Sequence, residues 1–562
     1  MLKAMVVVAV GWIGAPILIS QTTALPAAPA PIPDLLQEAS EAYRSGKFDT
    51  AVEKYQAALR QNANSAEVYA GLARTYLKQE KVDAAFATAK QGVAELPASL
   101  AVHTALGEVY FRQAKMVEAE KEFLVGVNDP HPDARACLGL SRLYDVYSLH
   151  ARARTMLNRA HELDPRDRDI QRRWMRTLRR QEQIELLEKY LAAPSNDNED
   201  LTRSLHTYLE LLRERAKQTR TNCQLVSKVR STETALTPML YDPKHLHGFG
   251  LVVKVNNQSS RLLLDTGASG LLINKKLAKK AGIEPLVTNQ FGGIGDKGDA
   301  SGFIGYADSI KIGELEFQHC LVEVSDKRSV LDDDGLIGAD VFDHYLVTID
   351  FLWQKLKLEE LPQRPGEKAA TATLASQEPG EADDEAGPGE APQKASTENQ
   401  SAEAKTANAK PAEGAGIGPQ DRYVAPEMQS YTKIFRFGHD LLIPTRVGTA
   451  PPKLFLIDTG AMMNSISPEA AREVTKVHGD DMRVRGLSGS VKNVFSADKA
   501  MLEFSHFRQE NQDMTAFDLS NVSRNAGTEI SGILGFTTLR MFTLKIDYRD
   551  GLVDFIYNGP KQ

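Results

Sequence analysis

Leu262-Leu263-Leu264-Asp265-Thr266-Gly267-Ala268 and Phe455-Leu456-Ile457-Asp458-Thr459-Gly460-Ala461 are two versions of one pattern, three apolar residues running into Asp-Thr-Gly-Ala. The apolar triplet reads as the end of a buried strand, and Asp and Gly are turn formers. Each copy therefore presents a carboxyl group at a strand tip on a tight loop. One Asp-Thr-Gly alone is more often a turn than a catalyst. Two in one chain change its meaning, because carboxyls that face each other share a proton, one acting as base and the other as acid.

The duplication extends outward from the triplets. Gly292-Gly293-Ile294-Gly295 begins 27 residues after the first Asp and Gly486-Leu487-Ser488-Gly489 begins 28 after the second, each a candidate glycine-containing hairpin. Gly335-Leu336-Ile337-Gly338 and Gly532-Ile533-Leu534-Gly535 follow. The Asp of Thr348-Ile349-Asp350-Phe351, and that of Lys545-Ile546-Asp547-Tyr548, lies 12 residues beyond the last Gly of its copy. Such matched frames describe two diverged copies of one β-rich lobe.

Over roughly half of the chain, these residues resemble the retropepsin-like and pepsin-like aspartic proteases. The resemblance implies that Asp265 and Asp458 form a catalytic dyad. It further implies that Thr266 and Thr459 bond each other's loop backbones, while Gly267 and Gly460 permit close approach. Gly293, Ile294, Gly295, Leu487, Ser488 and Gly489 become flap candidates that close over an extended peptide. Leu336-Ile337-Gly338 and Ile533-Leu534-Gly535 become braces beneath the catalytic loops. The implied reaction is peptide-bond hydrolysis by an activated water through a tetrahedral diol, with no metal and no cofactor. Two carboxyls about 3 Å apart cannot both ionise cheaply, so the pair titrates in two separated steps. Ala268 and Ala461 stand where pepsin-like enzymes often carry a hydroxyl, which predicts a milder pH optimum than pepsin's. The second loop departs from the pattern: Ala461-Met462-Met463-Asn464 replaces Ala268-Ser269-Gly270-Leu271. That departure supports a competing reading, a non-catalytic interaction scaffold whose protease-like module holds a peptide without cutting it.

The remaining sequence sets these lobes in a multidomain protein, an α-solenoid followed by two all-β lobes joined by a disordered linker. The chain has 562 residues, 42% hydrophobic, with a net charge of −7. Met1-Leu2-Lys3 and the uncharged run from Ala4 to Ser20 read as a secretory signal peptide over residues 1–28. The expectation is export to the periplasm or the extracellular space, with membrane attachment only if the signal is retained. From 33 to 180 a 34-residue period runs through Ala51, Ala85, Ala119 and Ala153, through Leu72, Leu106 and Leu140, and through Tyr76, Tyr110 and Tyr144. These are tetratricopeptide-like repeats, four helix pairs with a concave face suited to a protein partner. Residues 181–222 read as connecting helices with Leu205, Leu209 and Leu212 as their apolar stripe, and in the basic sequence that begins at Arg172 the pairs Arg172-Arg173 and Arg179-Arg180 read as solvated charge. Lobe 1 is expected over 223–361 and lobe 2 over 421–560. Between them, 362–420 is too rich in Ala, Glu, Pro, Gly and Lys to fold. That length of coil allows the lobes to pair within one chain or between two chains.

Other signals carry less. Gly293-Ile294-Gly295-Asp296-Lys297-Gly298 fits a dinucleotide string, but no helix pattern follows it. The His residues show no zinc-peptidase spacing, and the arginines lack the aromatic interleaving of a nucleic-acid site. Cys137, Cys223 and Cys320 allow at most one intramolecular disulfide and require none.

Overall fold

The computed structural model describes residues 31–61, 65–193, 197, 199–217, 223–242, 245–295, 300–326, 334–365 and 420–559. The expected signal peptide and residues 366–419 of the expected linker lie outside these, as does Gly298 of the first hairpin.

The 34-residue period becomes four antiparallel helix pairs: α1 Ile32–Arg44 with α2 Phe48–Arg60, α3 Ala66–Lys78 with α4 Val82–Glu95, α5 Leu100–Arg112 with α6 Met116–Val127, and α7 Ala134–Val146 with α8 His150–Leu163. Ala51, Ala85, Ala119 and Ala153 are almost wholly buried. With only a methyl at each position, the second helix of a pair can press onto the first. Aromatic rings fill the remaining gaps against glycine: Phe123 lies where a Cβ on Gly107 or Gly139 would fall within 2.7 Å. The turn inside each pair needs a left-handed residue. Gly46 supplies it at φ 72°, whereas Glu80, Ala114 and Ser148, each one period further on, adopt 61°, 60° and 55° at a cost of about 1 kcal/mol apiece. Three more helices continue the stack: α9 Arg168–Met175, α10 Arg180–Ala192 and α11 Glu199–Ala216. Asp167 caps α9 by accepting from the amides of Asp169 and Ile170.

The β region is two lobes with the same wiring. In the first, Gln258–Asp265 pairs antiparallel with His245–Val255 and parallel with Gly335–Gly338, so that Asp265 stands opposite Gly338. In the second, Lys453–Ile457 pairs antiparallel with Asp440–Val447 and parallel with Gly532–Leu534. The brace segments thus run beside the strands that lead into the Asp-Thr-Gly loops. The two Ile-Asp-aromatic segments meet directly: Tyr345–Asp350 is antiparallel to Phe542–Asp547, in register from Leu346 opposite Asp547 to Asp350 opposite Thr543. This joint sheet pairs the lobes within one chain. Val347, Ile349, Leu544 and Ile546 are fully buried in it.

The solenoid is fastened to both lobes. At its turn edge, Phe111 and Tyr147 face Phe437 and Phe435 of lobe 2 at ring distances of 6.0 and 5.5 Å. Thr528 Oγ1 donates to Phe111 O at 2.8 Å and Glu529 N to Arg112 O at 2.9 Å. Against lobe 1, Leu211 of α11 packs on Val287 and Ile304. A disulfide joins Cys223, where lobe 1 begins, to Cys320, while Cys137 is free and buried in α7.

Both ends of the long stretch between the lobes are tied to one carboxylate. Arg364 Nη2 and Tyr423 N donate to Oδ1 of the fully buried Asp550 at 2.5 and 2.8 Å, and Pro362 O accepts from Arg549. Residues 366–419 therefore leave and rejoin the fold at one place. Cutting the backbone between Pro365 and Gln420 should leave the two fragments in a single gel-filtration peak. Separate elution would mean that chain continuity, and not the joint sheet, holds the lobes.

Candidate active site

The two Asp-Thr-Gly loops face each other through a closed set of hydrogen bonds. Thr266 N donates to Thr459 Oγ1 at 3.1 Å, and Thr459 N to Thr266 Oγ1 at 3.0 Å. Each hydroxyl passes its own proton to the other strand, Thr266 Oγ1 to Ile457 O at 2.7 Å and Thr459 Oγ1 to Leu264 O at 2.9 Å. Both threonines are buried, 1% and 2% exposed, so this mutual arrangement satisfies two amides and two hydroxyls that water cannot reach.

This lattice places each carboxyl against the opposite loop. A Cβ on Gly460 would lie 2.4 Å from Asp265 Cγ, and one on Gly267 would lie 2.6 Å from Asp458 Cγ. No side chain fits at either position. Asp265 and Asp458 share a side-chain hydrogen bond. Their surroundings differ. Asp458 Oδ1 accepts from the amides of Gly460 and Ala461, both at 2.8 Å, whereas Asp265 Oδ1 accepts from Gly267 at 2.9 Å. Burial, and then the charge of Asp458, holds the Asp265 carboxyl well above the usual carboxylate range. Burial raises Asp458 as well, opposed by its amide bonds and by the bond from Asp265. Both carboxyls of the pair are thus biased toward the protonated form.

The two hairpins meet each other across the lobes. Gly293 N donates to Ser488 Oγ and Ser488 N to Ile294 O, both at 3.1 Å. Leu487 Cβ lies 2.8 Å from where a Cβ on Gly293 would stand, and Gly295, at φ 130°, abuts Gly489. All six flap candidates thus come together across the lobes.

Supports that the sequence reading did not single out surround the loops. Asp340 accepts from Ser269 Oγ and Gly270 N, both at 2.9 Å, anchoring the chain just past Asp265. In lobe 2 that anchor is Asn464, whose Nδ2 donates to Thr538 Oγ1 at 2.7 Å while its Oδ1 accepts from Gly535 N at 2.9 Å. Their signal was positional: both are short polar residues close to an Asp-Thr-Gly loop or its brace. Glu323, near Asp340, is pushed up to about 8 by burial and then by that neighbour's charge. Met462 and Met463 remain 38% and 37% exposed.

Residues 251–344 match the gag-polyprotein putative aspartyl protease family, and residues 42–93 match the tetratricopeptide repeat family. Tetratricopeptide repeats precede a retropepsin-like region. The chain is similar to DNA damage-inducible protein 1 of Neurospora crassa, 30% identical over 146 residues covering 25% of this chain and 32% of that protein. Its counterpart from Chaetomium globosum is 29% identical over 141 residues, covering 24% and 31%. The chain spans about a third of the length of these relatives. Among solved structures, the aspartic proteinase from Irpex lacteus aligns at 12% identity and a TM-score of 0.31, covering 58% of this chain and 97% of that one. TTC0263, a thermophilic TPR protein of Thermus thermophilus, aligns at 23% identity and a TM-score of 0.26, covering 32% and 98%.

Two outcomes are expected of this geometry. Thr459→Val removes a buried donor and the acceptor for Thr266 N, and should lower stability by about 2–3 kcal/mol in urea unfolding. A loss below about 1 kcal/mol would show that the lattice does not hold the lobes together. Because Asp265 titrates higher folded than unfolded, the folded state keeps its proton above the ordinary carboxylate value of about 3.9 while the unfolded state releases it. Stability therefore falls as pH rises from there toward the folded value. Asp265→Asn should raise the melting temperature at pH 7 relative to wild type, with the gain shrinking toward pH 3. An equal shift at both pH values would remove the basis for this assignment.

Proposed function

We propose that this protein is an exported aspartic endopeptidase in which Asp265 and Asp458 hydrolyse a peptide bond and the repeat region engages a protein substrate or partner. The observation that carries this reading is the pair of carboxyl groups locked face to face by the reciprocal threonine bonds. Asp458, the more strongly stabilised anion, removes a proton from a water bound between the carboxyls. Asp265 lends its proton to the carbonyl oxygen, so the charge that develops during attack is neutralised as it forms. The tetrahedral diol then collapses as a proton passes to the departing amine. The hairpins must part for a peptide to enter and then close on it as on an added strand. Export is supported by the apolar run from Ala4 to Ser20 and by the Cys223–Cys320 disulfide, since such bonds persist in oxidising compartments.

The alternative of a peptide-binding module without catalysis draws on the bulky Met462-Met463 pair, which has no equivalent in lobe 1. Cleavage of a diverse peptide mixture, read by mass spectrometry from acid to neutral pH, separates the two. Wild type should cut, and Asp265→Asn and Asp458→Asn should each lose at least about a hundredfold in rate. Specific activity should stay constant on dilution, because both loops come from one chain. Peptide bound but left intact by wild type at every pH would favour the binding module.

A further inference from the structure

Residues paired across neighbouring strands point their side chains to the same face of a sheet, and along one strand the side chains alternate between faces. Leu262 and Leu264 lie in the core of lobe 1, so Leu263 and Asp265 share the opposite face. From Leu263 that face continues across four further strands in one register, through Leu336, Leu272, Glu323 and Ile304. Lobe 2 repeats the row. Phe455 and Ile457 lie in its core, so Leu456 shares the face of Asp458, and the register continues through Ile533, Ser465, Thr515 and Ser496.

Both rows lead away from the paired carboxyls, and they differ where they end. Lobe 2 closes with three hydroxyls, and Thr515 donates to Met482 Sδ at 3.4 Å. Lobe 1 has two aliphatic side chains flanking an acid, and Glu323 is the one charged residue in either row. Among the described residues Glu323 has no hydrogen bond and no ion pair. Leu272 and Ile304 are buried, the latter under Leu211 of α11, while Leu336 and Glu323 stay half-buried. An aliphatic strip therefore ends at an unpaired acid. Ionisation of that acid is opposed by burial and then by Asp340, which is itself taken up by Ser269 and Gly270. A cation brought to Glu323 offsets both effects.

We propose that Glu323 sets the substrate preference of the lobe 1 half of the site, selecting a lysine or arginine whose stem lies along Leu336 and Leu272. Such side chains bury their methylenes on apolar surface and carry the charge at the tip, where a carboxylate can meet it. Glu323 is three strand spacings from the strand of Asp265, a separation of about 14 Å. In an extended peptide lying along the row, the second and third residues from the cut bond are about 5 and 8 Å away, and a lysine tip reaches roughly 6 Å further. Shorter side chains stop over the leucines. Lobe 2 offers only hydroxyls at the matching place, so the preference falls on one side of the cut bond. This inference rests on the peptidase reading for the position of that bond, and names the substrate class of the same site.

The test is fluorescence anisotropy of labelled octapeptides with the full chain carrying Asp458→Asn. The probes are Ala-Lys-Lys-Phe-Phe-Gln-Gln-Ala, its mirror Ala-Gln-Gln-Phe-Phe-Lys-Lys-Ala, and a neutral peptide with glutamine at all four places. One lysine peptide should bind tenfold or more tighter than the neutral one, and its mirror should stay within threefold of it. Adding Glu323→Gln should cut the tenfold preference below threefold. Glu314→Gln, the same charge change at an exposed turn of lobe 1, should leave the preference intact. Glu323→Lys should instead favour a peptide with glutamates in the preferred lysine places, an order that a misfolded chain does not produce. Equal gains for both lysine peptides, a preference that survives Glu323→Gln, or no preference or no binding by the parent would overturn the proposal. Cleavage by wild type separates the two readings. Cutting without a lysine preference would sink this inference and leave the peptidase; a Glu323-dependent preference in binding without any cutting would sink the peptidase and leave Glu323 as the selecting group.

Discussion

The reciprocal bonding of Thr266 and Thr459 is the constraint on which the rest depends. Two polar loops at strand tips are costly to bury singly, since each would leave an amide and a hydroxyl without partners. Facing each other, each supplies what the other lacks. This mutual requirement fixes the separation of the loops, and that separation leaves room only for glycine at 267 and 460. The carboxyl groups are thereby held in contact, an arrangement that neither lobe could produce alone.

The near symmetry of the lattice is broken one atom further out. Ala461 N donates to Asp458, while Asp265 is raised by burial and then by the charge of Asp458. Asp340 and Asn464 hold the two loops by different means, a carboxylate in one lobe and a carboxamide in the other. Duplication supplied two like loops, and divergence around them gave the loops different supports.

The solenoid is part of the same body. Its aromatic turn edge is covered by lobe 2, and α11 rests on the strand that leads into the first hairpin. Arg172, read from sequence as solvated charge, is instead engaged with Asp169 and Asp197, because α9 closes the inner curve of the stack where acids from neighbouring turns gather.

Much of the fold was legible because its signals are local and repeated. The 34-residue period, the two Asp-Thr-Gly loops and the apolar-Gly braces each declare a strand tip or a helix pair without knowledge of what it touches. Pairing within one chain was not legible, since a coil of that length permits either arrangement; the joint sheet and the clasp on Asp550 decided it. Nor could three cysteines name their pair until the fold placed Cys137 inside α7, away from the other two. The facing of the two Asp-Thr-Gly loops, the meeting of the hairpins and the seam between solenoid and lobe 2 rest on contacts between residues 193 to 417 positions apart. Such contacts leave no period in the chain. Sequence by itself determined which groups exist and on what local elements they stand; tertiary structure decided which of them face each other, because the cost of burying a polar group depends on the partner it finds.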